Sequence, residues 1–86
     1  MEKYKVVISS SAEKSLKKIP KKDVQHIVVA MERLATHPFP VGSRKLSGYE
    51  KIFRIRIGKY RVIYEVEGQK LLILVLKIGH RKDIYR

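Results

Sequence analysis

Between Phe53 and Val66 the chain reads FRIRIGKYRVIYEV, two alternating apolar and polar runs on either side of Gly58-Lys59. Alternation of period two is the mark of a strand with one buried face. A Gly-X pair between two such runs is the signature of a two-residue type II′ hairpin. That turn sets a register: Ile57 opposite Tyr60, Arg56 opposite Arg61, Ile55 opposite Val62 and Arg54 opposite Ile63. One face then carries Phe53, Ile55, Ile57, Tyr60, Val62, Tyr64 and Val66, and needs a covering layer. The other carries Arg54, Arg56 and Arg61. Like charges directly opposite one another are unfavourable, and an anion held between them would remove the conflict.

The covering layer lies upstream. Tyr4–Ile8 is apolar and β-branched and predicts a first strand. In the helix that follows, Ser10 and Glu13 have capping-box spacing, and Ala12, Leu16 and Ile19 share one face. Pro20 ends that helix and suits the start of the next. Val24, Ile27, Val28, Met31, Leu34 and Ala35 give the second helix a broad apolar stripe, and Pro38 disfavours helix at His37. From Val41 to Glu50 the glycines and serines predict a loop. After the hairpin, Gly68-Gln69 offers a second Gly-X turn. The unalternating run LLILVL, Leu71–Leu76, suits a central strand covered on both faces. The order β-α-α-β-β-β predicts an α+β domain over residues 1–86, with the helical hairpin packed on a largely antiparallel twisted sheet.

Charge sets the partner class. The 86 residues carry a formal net charge of +12, with 44% hydrophobic residues, enough to fold as one domain. A polyanion, and nucleic acid in particular, is the expected partner. Of seven arginines, all but Arg33 lie in the second half, whereas the first half uses lysine. Arginine is the planar fork suited to phosphate. There is no cysteine, so disulfide and thiolate chemistry are excluded. No signal-peptide layout or bilayer-length apolar run is seen, and a cytoplasmic location without membrane contact is expected. His26, His37 and His80 are too scattered for a metal site, and no cofactor motif is found. Glu65 and Glu67 share a strand face, but pairing with nearby basic residues such as Lys70 explains them better than glycoside chemistry.

A cationic strand face with tyrosines serves RNA binding or metal-free RNA cleavage. In the latter the substrate's own 2′-hydroxyl attacks phosphorus, and fixed cations stabilise the charge that develops.

The segments KLSGYEKIFRIRIGKYRVIYEV and VLKIGHRKDIYR together resemble the RelE/ParE superfamily of toxins, on the RelE side, and the likeness covers nearly the whole chain. It implies a fold like that of small microbial ribonucleases. It implies a toxin of a type II toxin–antitoxin system that cuts mRNA in the ribosomal A site. It also implies a RelB-like antitoxin partner, in an assembly up to a heterotetramer. By this resemblance Arg54, Arg56 and Arg61 surround the scissile phosphate, Arg81 serves the leaving group, Tyr85 orients the substrate and His80 transfers a proton. Lys45, Tyr49, Lys51 and Lys82 are expected RNA contacts. The family's strand lysines are arginines here, and arginine is not deprotonated, so the base is His80, Tyr85 or water. Two other functions stay open: a ParE-like inhibitor of DNA gyrase, and an RNA-binding module without chemistry.

Overall fold

The computed structural model describes residues 3–80, and Arg81, Lys82 and Tyr85 lie outside the described residues. Its elements are β1 (Lys5–Ile8), α1 (Ser10–Lys17), α2 (Lys21–Leu34), β2 (Arg44–Lys45), β3 (Ile52–Ile57), β4 (Tyr60–Glu67), a 3₁₀ turn (Gly68–Lys70) and β5 (Leu72–His80). The strands form one sheet in the order β1-β5-β4-β3-β2. β1 runs parallel to β5, and every other neighbouring pair is antiparallel. The helices cover one face, as the α+β reading required.

The β3–β4 register is the expected one, from Ile57–Tyr60 through Arg54–Ile63. Gly58 makes it possible, since its φ is +59°, while Lys59 is not among the residues with positive φ. That combination is the type II′ turn, whose twist matches the flanking strands. Beneath the hairpin, Ile27, Met31 and Leu34 of α2 and Ala12 of α1 meet Ile55, Val62, Tyr64, Val66, Ile73, Val75 and Ile78 in one core. Helical spacing on one side and strand alternation on the other bring these residues together.

Four local expectations are corrected. The cap of α1 is Ser9, not Ser10: its Oγ accepts from the Ala12 N–H at 3.1 Å. The 41–50 segment is not all loop, because Arg44 and Lys45 pair with Arg54 and Phe53 as β2. Gly68-Gln69 is not a two-residue turn. The chain closes through the 3₁₀ turn and Leu71, whose φ of 50° is left-handed, so that Leu72 pairs with Glu67. Finally, β5 is interior but fully buried on one face only: Ile73 and Val75 are buried, while Leu72, Leu74 and Leu76 are half-buried.

One irregularity governs the far end of the sheet. Ile63 pairs with Lys77 and Tyr64 with Val75, leaving Leu76 as an extra residue. Such a bulge reverses which residues face the core beyond it. Before it Ile73 and Val75 face the helices; after it Ile78 does. Ser9 holds the bulge in place: its Oγ donates to the Leu76 carbonyl at 2.9 Å, and its N–H donates to the Val75 carbonyl at 2.9 Å. One serine thus caps a helix and fixes a strand irregularity 67 residues away.

Ser9→Ala therefore loses both hydroxyl bonds and is expected to destabilise the fold by about 1–3 kcal/mol, a lost cap plus an unsatisfied carbonyl. Urea unfolding measures it, and a change within about 0.5 kcal/mol, the usual surface value, would contradict this role.

A candidate phosphate cleft on the outer sheet face

The face turned away from the helices is built by strand parity. On β4, Arg61, Ile63, Glu65 and Glu67 share it. Across the ladders they are joined by Arg56 opposite Arg61, Arg54 opposite Ile63, Arg44 opposite Arg54, and Lys77 and Gly79 from β5. Ile63 is 7% exposed yet stands apart from the core cluster, so it forms an apolar floor among the basic side chains. Arg54 and Arg61 are half-buried, Arg44 and Arg56 exposed.

These residues border a cleft of about 280 Å³ lined by Gly42, Arg44, Arg54, Ile55, Arg56 and Arg61. Four guanidiniums around one recess are suited to a phosphodiester, since each presents a planar fork of donors and keeps its charge at any physiological pH. Among the described residues its lining has no carboxylate, imidazole or phenol. Those residues can bind and stabilise anionic charge, but their side chains supply no proton acceptor. Among the described residues no cluster of His, Asp or Glu could hold a metal ion, and no helix is long and apolar enough to cross a membrane.

Of the expected site residues, Arg54, Arg56 and Arg61 come together here. His80 does not join them. It pairs with Tyr60, and the alternation that puts Arg61 and Gly79 on the cleft face puts Tyr60 and His80 on the other. The two rings meet edge to face with centroids 5.9 Å apart. Tyr60 also donates to Asp23 of α2 at 3.4 Å. Burial first, then the nearby carboxylate, pushes its phenol pKa above the ordinary range. Lys45 alternates with Arg44 and pairs with Phe53, on the side away from the cleft. Tyr49, 56% exposed, and Lys51 border a separate shallow recess with Glu65. The recess lies about 13 Å along β4 from Arg61, four residues at strand rise. There Lys51 pairs with Glu67 at 3.2 Å. Glu65 and Glu67 share a hydrogen bond that raises the pKa of the first carboxyl and lowers that of the second.

Arg44 is the cleft residue that sequence reading missed. Its signal was available: it lies next to Lys45 in an RK pair just after a glycine-containing loop, within reach of the β3 edge.

The wall beside Arg44 is the segment 38–43. Pro40 to Ser43 forms a tight turn closed by the Ser43 N–H on the Pro40 carbonyl at 2.9 Å. Gly42 has φ +94°, the value a type II turn requires at that position. Phe39 lies edge-on to Phe53, with centroids 4.9 Å apart, and Phe53 stacks on Tyr64 at 6.0 Å. The Tyr64 hydroxyl donates to the Pro38 carbonyl at 2.8 Å. Burial pushes the Tyr64 phenol from its ordinary 10.0 up to about 12, a rise that a hydrogen bond with the Ser43 side chain offsets in part.

Known proteins resemble this chain along nearly its whole length. Residues 6–85 match the family described as the ParE toxin of the type II toxin–antitoxin system parDE. A putative toxin RelE1 of Methanocaldococcus jannaschii is 32% identical over 87 residues, covering 98% of this chain and 97% of its own. Toxin RelG of Mycobacterium tuberculosis is 32% identical over 87 residues, covering 96% and 97%. The archaeal RelE–RelB complex from Pyrococcus horikoshii contains a chain that superposes with a TM-score of 0.83 at 30% identity, over 93% of this chain and 97% of that one.

The raised Tyr64 pKa has a consequence for stability. Its neutral form is favoured in the folded state, so the contribution is complete below about 10 and lost as the pH climbs through about 12. Urea midpoints for the wild type should fall across that window. In Tyr64→Phe the fall should be shallower, and equal slopes for the two proteins would contradict the assignment.

Proposed function

The chain belongs to the RelE/ParE family of type II toxin–antitoxin toxins, and on that premise we propose that it is a metal-independent endoribonuclease cutting mRNA, on the ribosome, by 2′-hydroxyl attack. The observation that carries this reading is the cleft of Arg44, Arg54, Arg56 and Arg61, in which two cross-strand arginine pairs converge. The expected location is cytoplasmic. The expected partner in the cell is a RelB-like antitoxin; relatives of the same fold have been solved as RelE–RelB complexes.

In this reading the substrate brings its own nucleophile, which suits a cleft whose described lining is guanidinium. The ribose 2′-oxygen bonds to the adjacent phosphorus, the bond from phosphorus to the 5′-oxygen breaks, and the leaving oxygen takes up a proton. The products are a 2′,3′-cyclic phosphate and a 5′-hydroxyl. Arg54, Arg56 and Arg61, with Arg44, hold the phosphate and stabilise the added charge of the phosphorane, where preorganised donors act most strongly. The cleft also orients the 2′-oxygen in line with the leaving group. The 2′-hydroxyl proton goes to water or to Tyr85, and Arg81 serves the departing oxygen.

A second reading has one observation in its favour: the matching family is described by its ParE member. Such a toxin would inhibit DNA gyrase and cut nothing. A guanidinium cleft has no evident use in blocking a protein, which is why the ribonuclease reading is preferred.

Programmed ribosomes incubated with the protein, followed by mapping of mRNA ends, separate the two. Cleavage with 5′-hydroxyl products is expected, and a single 2′-O-methyl nucleotide just 5′ of the cut should abolish it. Normal cutting of the methylated message, or 5′-phosphate ends, would refute the mechanism. Intact message together with inhibited supercoiling by gyrase would establish the second reading. Arg61→Ala should keep the fold and lose about 10²–10³ in rate. A folded and fully active variant would remove Arg61 from the site.

A further inference from the structure

Tyr64 is 0% exposed and lies on the helix face of β4, where Phe53 beside it shows that a plain phenyl ring packs well. A buried hydroxyl costs free energy unless it is bonded. This one bonds neither strand nor helix. It donates to Pro38 at one end of the 38–43 segment, at 2.8 Å, and the Ser43 hydroxyl lies near it at the other. Between those points the chain passes around the β3 edge. Phe39 packs on Phe53 on the helix side, Gly42 lines the arginine cleft on the outer side, and the next residue after Ser43 is Arg44, opposite Arg54. β2 has only two residues, so the ladder alone holds Arg44 weakly. A core hydroxyl is thus the fixed point from which one wall and one guanidinium of the cleft are placed.

We propose that Tyr64 is a positioning residue for the phosphate cleft: its hydroxyl tethers the 38–43 segment and so sets Arg44 and the Gly42 wall against Arg54, Arg56 and Arg61. The proposal rests on the phosphate-binding reading of the cleft. Tyr64 does not touch the substrate; it acts through Arg44.

Three variants of the full chain test it: Tyr64→Phe, Arg44→Ala and the double variant. Amide hydrogen exchange reports the tether. In Tyr64→Phe the amides of Phe39, Val41, Gly42 and Ser43 should exchange faster, while those of Ile73 and Val75 in the core stay as slow as in the wild type. Titration with inorganic phosphate, followed through the arginine side-chain NMR signals, reports the cleft. Affinity should fall about three- to tenfold in Tyr64→Phe, the range that one net hydrogen bond supports. In the Arg44→Ala background the same change should cost nothing further. Unchanged exchange in the segment, faster exchange confined to the core, or losses that add in the double variant would each overturn the proposal. Ser43→Ala removes the neighbouring hydroxyl from a half-buried position without touching the core. It should speed the same amides to a smaller degree, so the tether stays testable if Tyr64→Phe fails to fold. A flat phosphate titration in the wild type would count against the cleft of the proposed function, while the exchange arm still judges the tether.

Discussion

Repulsion between arginines is the constraint around which the sheet is organised. Arg56 faces Arg61 and Arg44 faces Arg54, so two like-charged pairs sit side by side on one surface. Each pair works against the ladder that creates it. What keeps the ladder closed is on the opposite face, where Ile55, Val62 and Tyr64 are buried against α2. A one-residue slip would separate the arginines, but it would also turn those apolar residues into water. The hydrophobic face therefore holds the charges together, and the tight turn at Gly58 leaves no slack for a compromise register. An anion bound in the cleft of the folded sheet would have no such site in the unfolded chain, so ligand binding and stability should be linked.

The outer face is also polarised along its length. From Arg61 through Ile63 to Glu65 and Glu67, β4 passes from cationic to apolar to anionic within one strand. Field and shape then agree in directing a polyanion to the arginine end, and the carboxylates discourage a phosphate chain from running on past Ile63. This explains why Lys51 and Tyr49 are poor candidates for direct phosphate contact. Lys51 is engaged by Glu67, and both border the acidic end. Family membership supplies the biological setting, and this polarity is a physical property that the proposed grip on a phosphate chain would use.

Much of this was legible in the sequence, and the failures have identifiable causes. The hairpin register was readable because strand parity and a Gly-X turn are independent signals that agreed at Ile57 and Tyr60. The helical hairpin was readable from the spacing of Ile27, Met31 and Leu34. A two-residue strand has no period, so Arg44 and Lys45 looked like loop, and with them went the recognition that Arg44, rather than Lys45, faces the cleft. The run of serines from Ser9 to Ser11 left the cap ambiguous by one residue. The costliest omission was the bulge at Leu76. Inside a uniformly apolar run an extra residue leaves no trace in the pattern, yet it reverses the side on which His80 emerges. The tether at Tyr64 was invisible for a different reason: alternation marks a tyrosine as inward-facing but not what its hydroxyl reaches.

The position of β5 has a consequence for how the molecule comes into being. Among the described strands it comes last in the chain, yet it lies between β1, the first, and β4. Until β5 has been synthesised, β1 has no partner, the Ser9 hydroxyl has no bulge to hold, and Ile73, Val75 and Ile78 are missing from the core. Pairing the first strand with the last is the longest loop closure the chain can make, and such contacts form late. The arginine hairpin and α2, the layer that holds its charges together, precede β5 in the chain, and what they lack before it is the Ile73, Val75 and Ile78 part of the core. The core beneath the arginine hairpin is thus completed by a strand that follows it in the chain, and the sheet that carries the cleft reaches its full packing only when β5 is seated between β1 and β4.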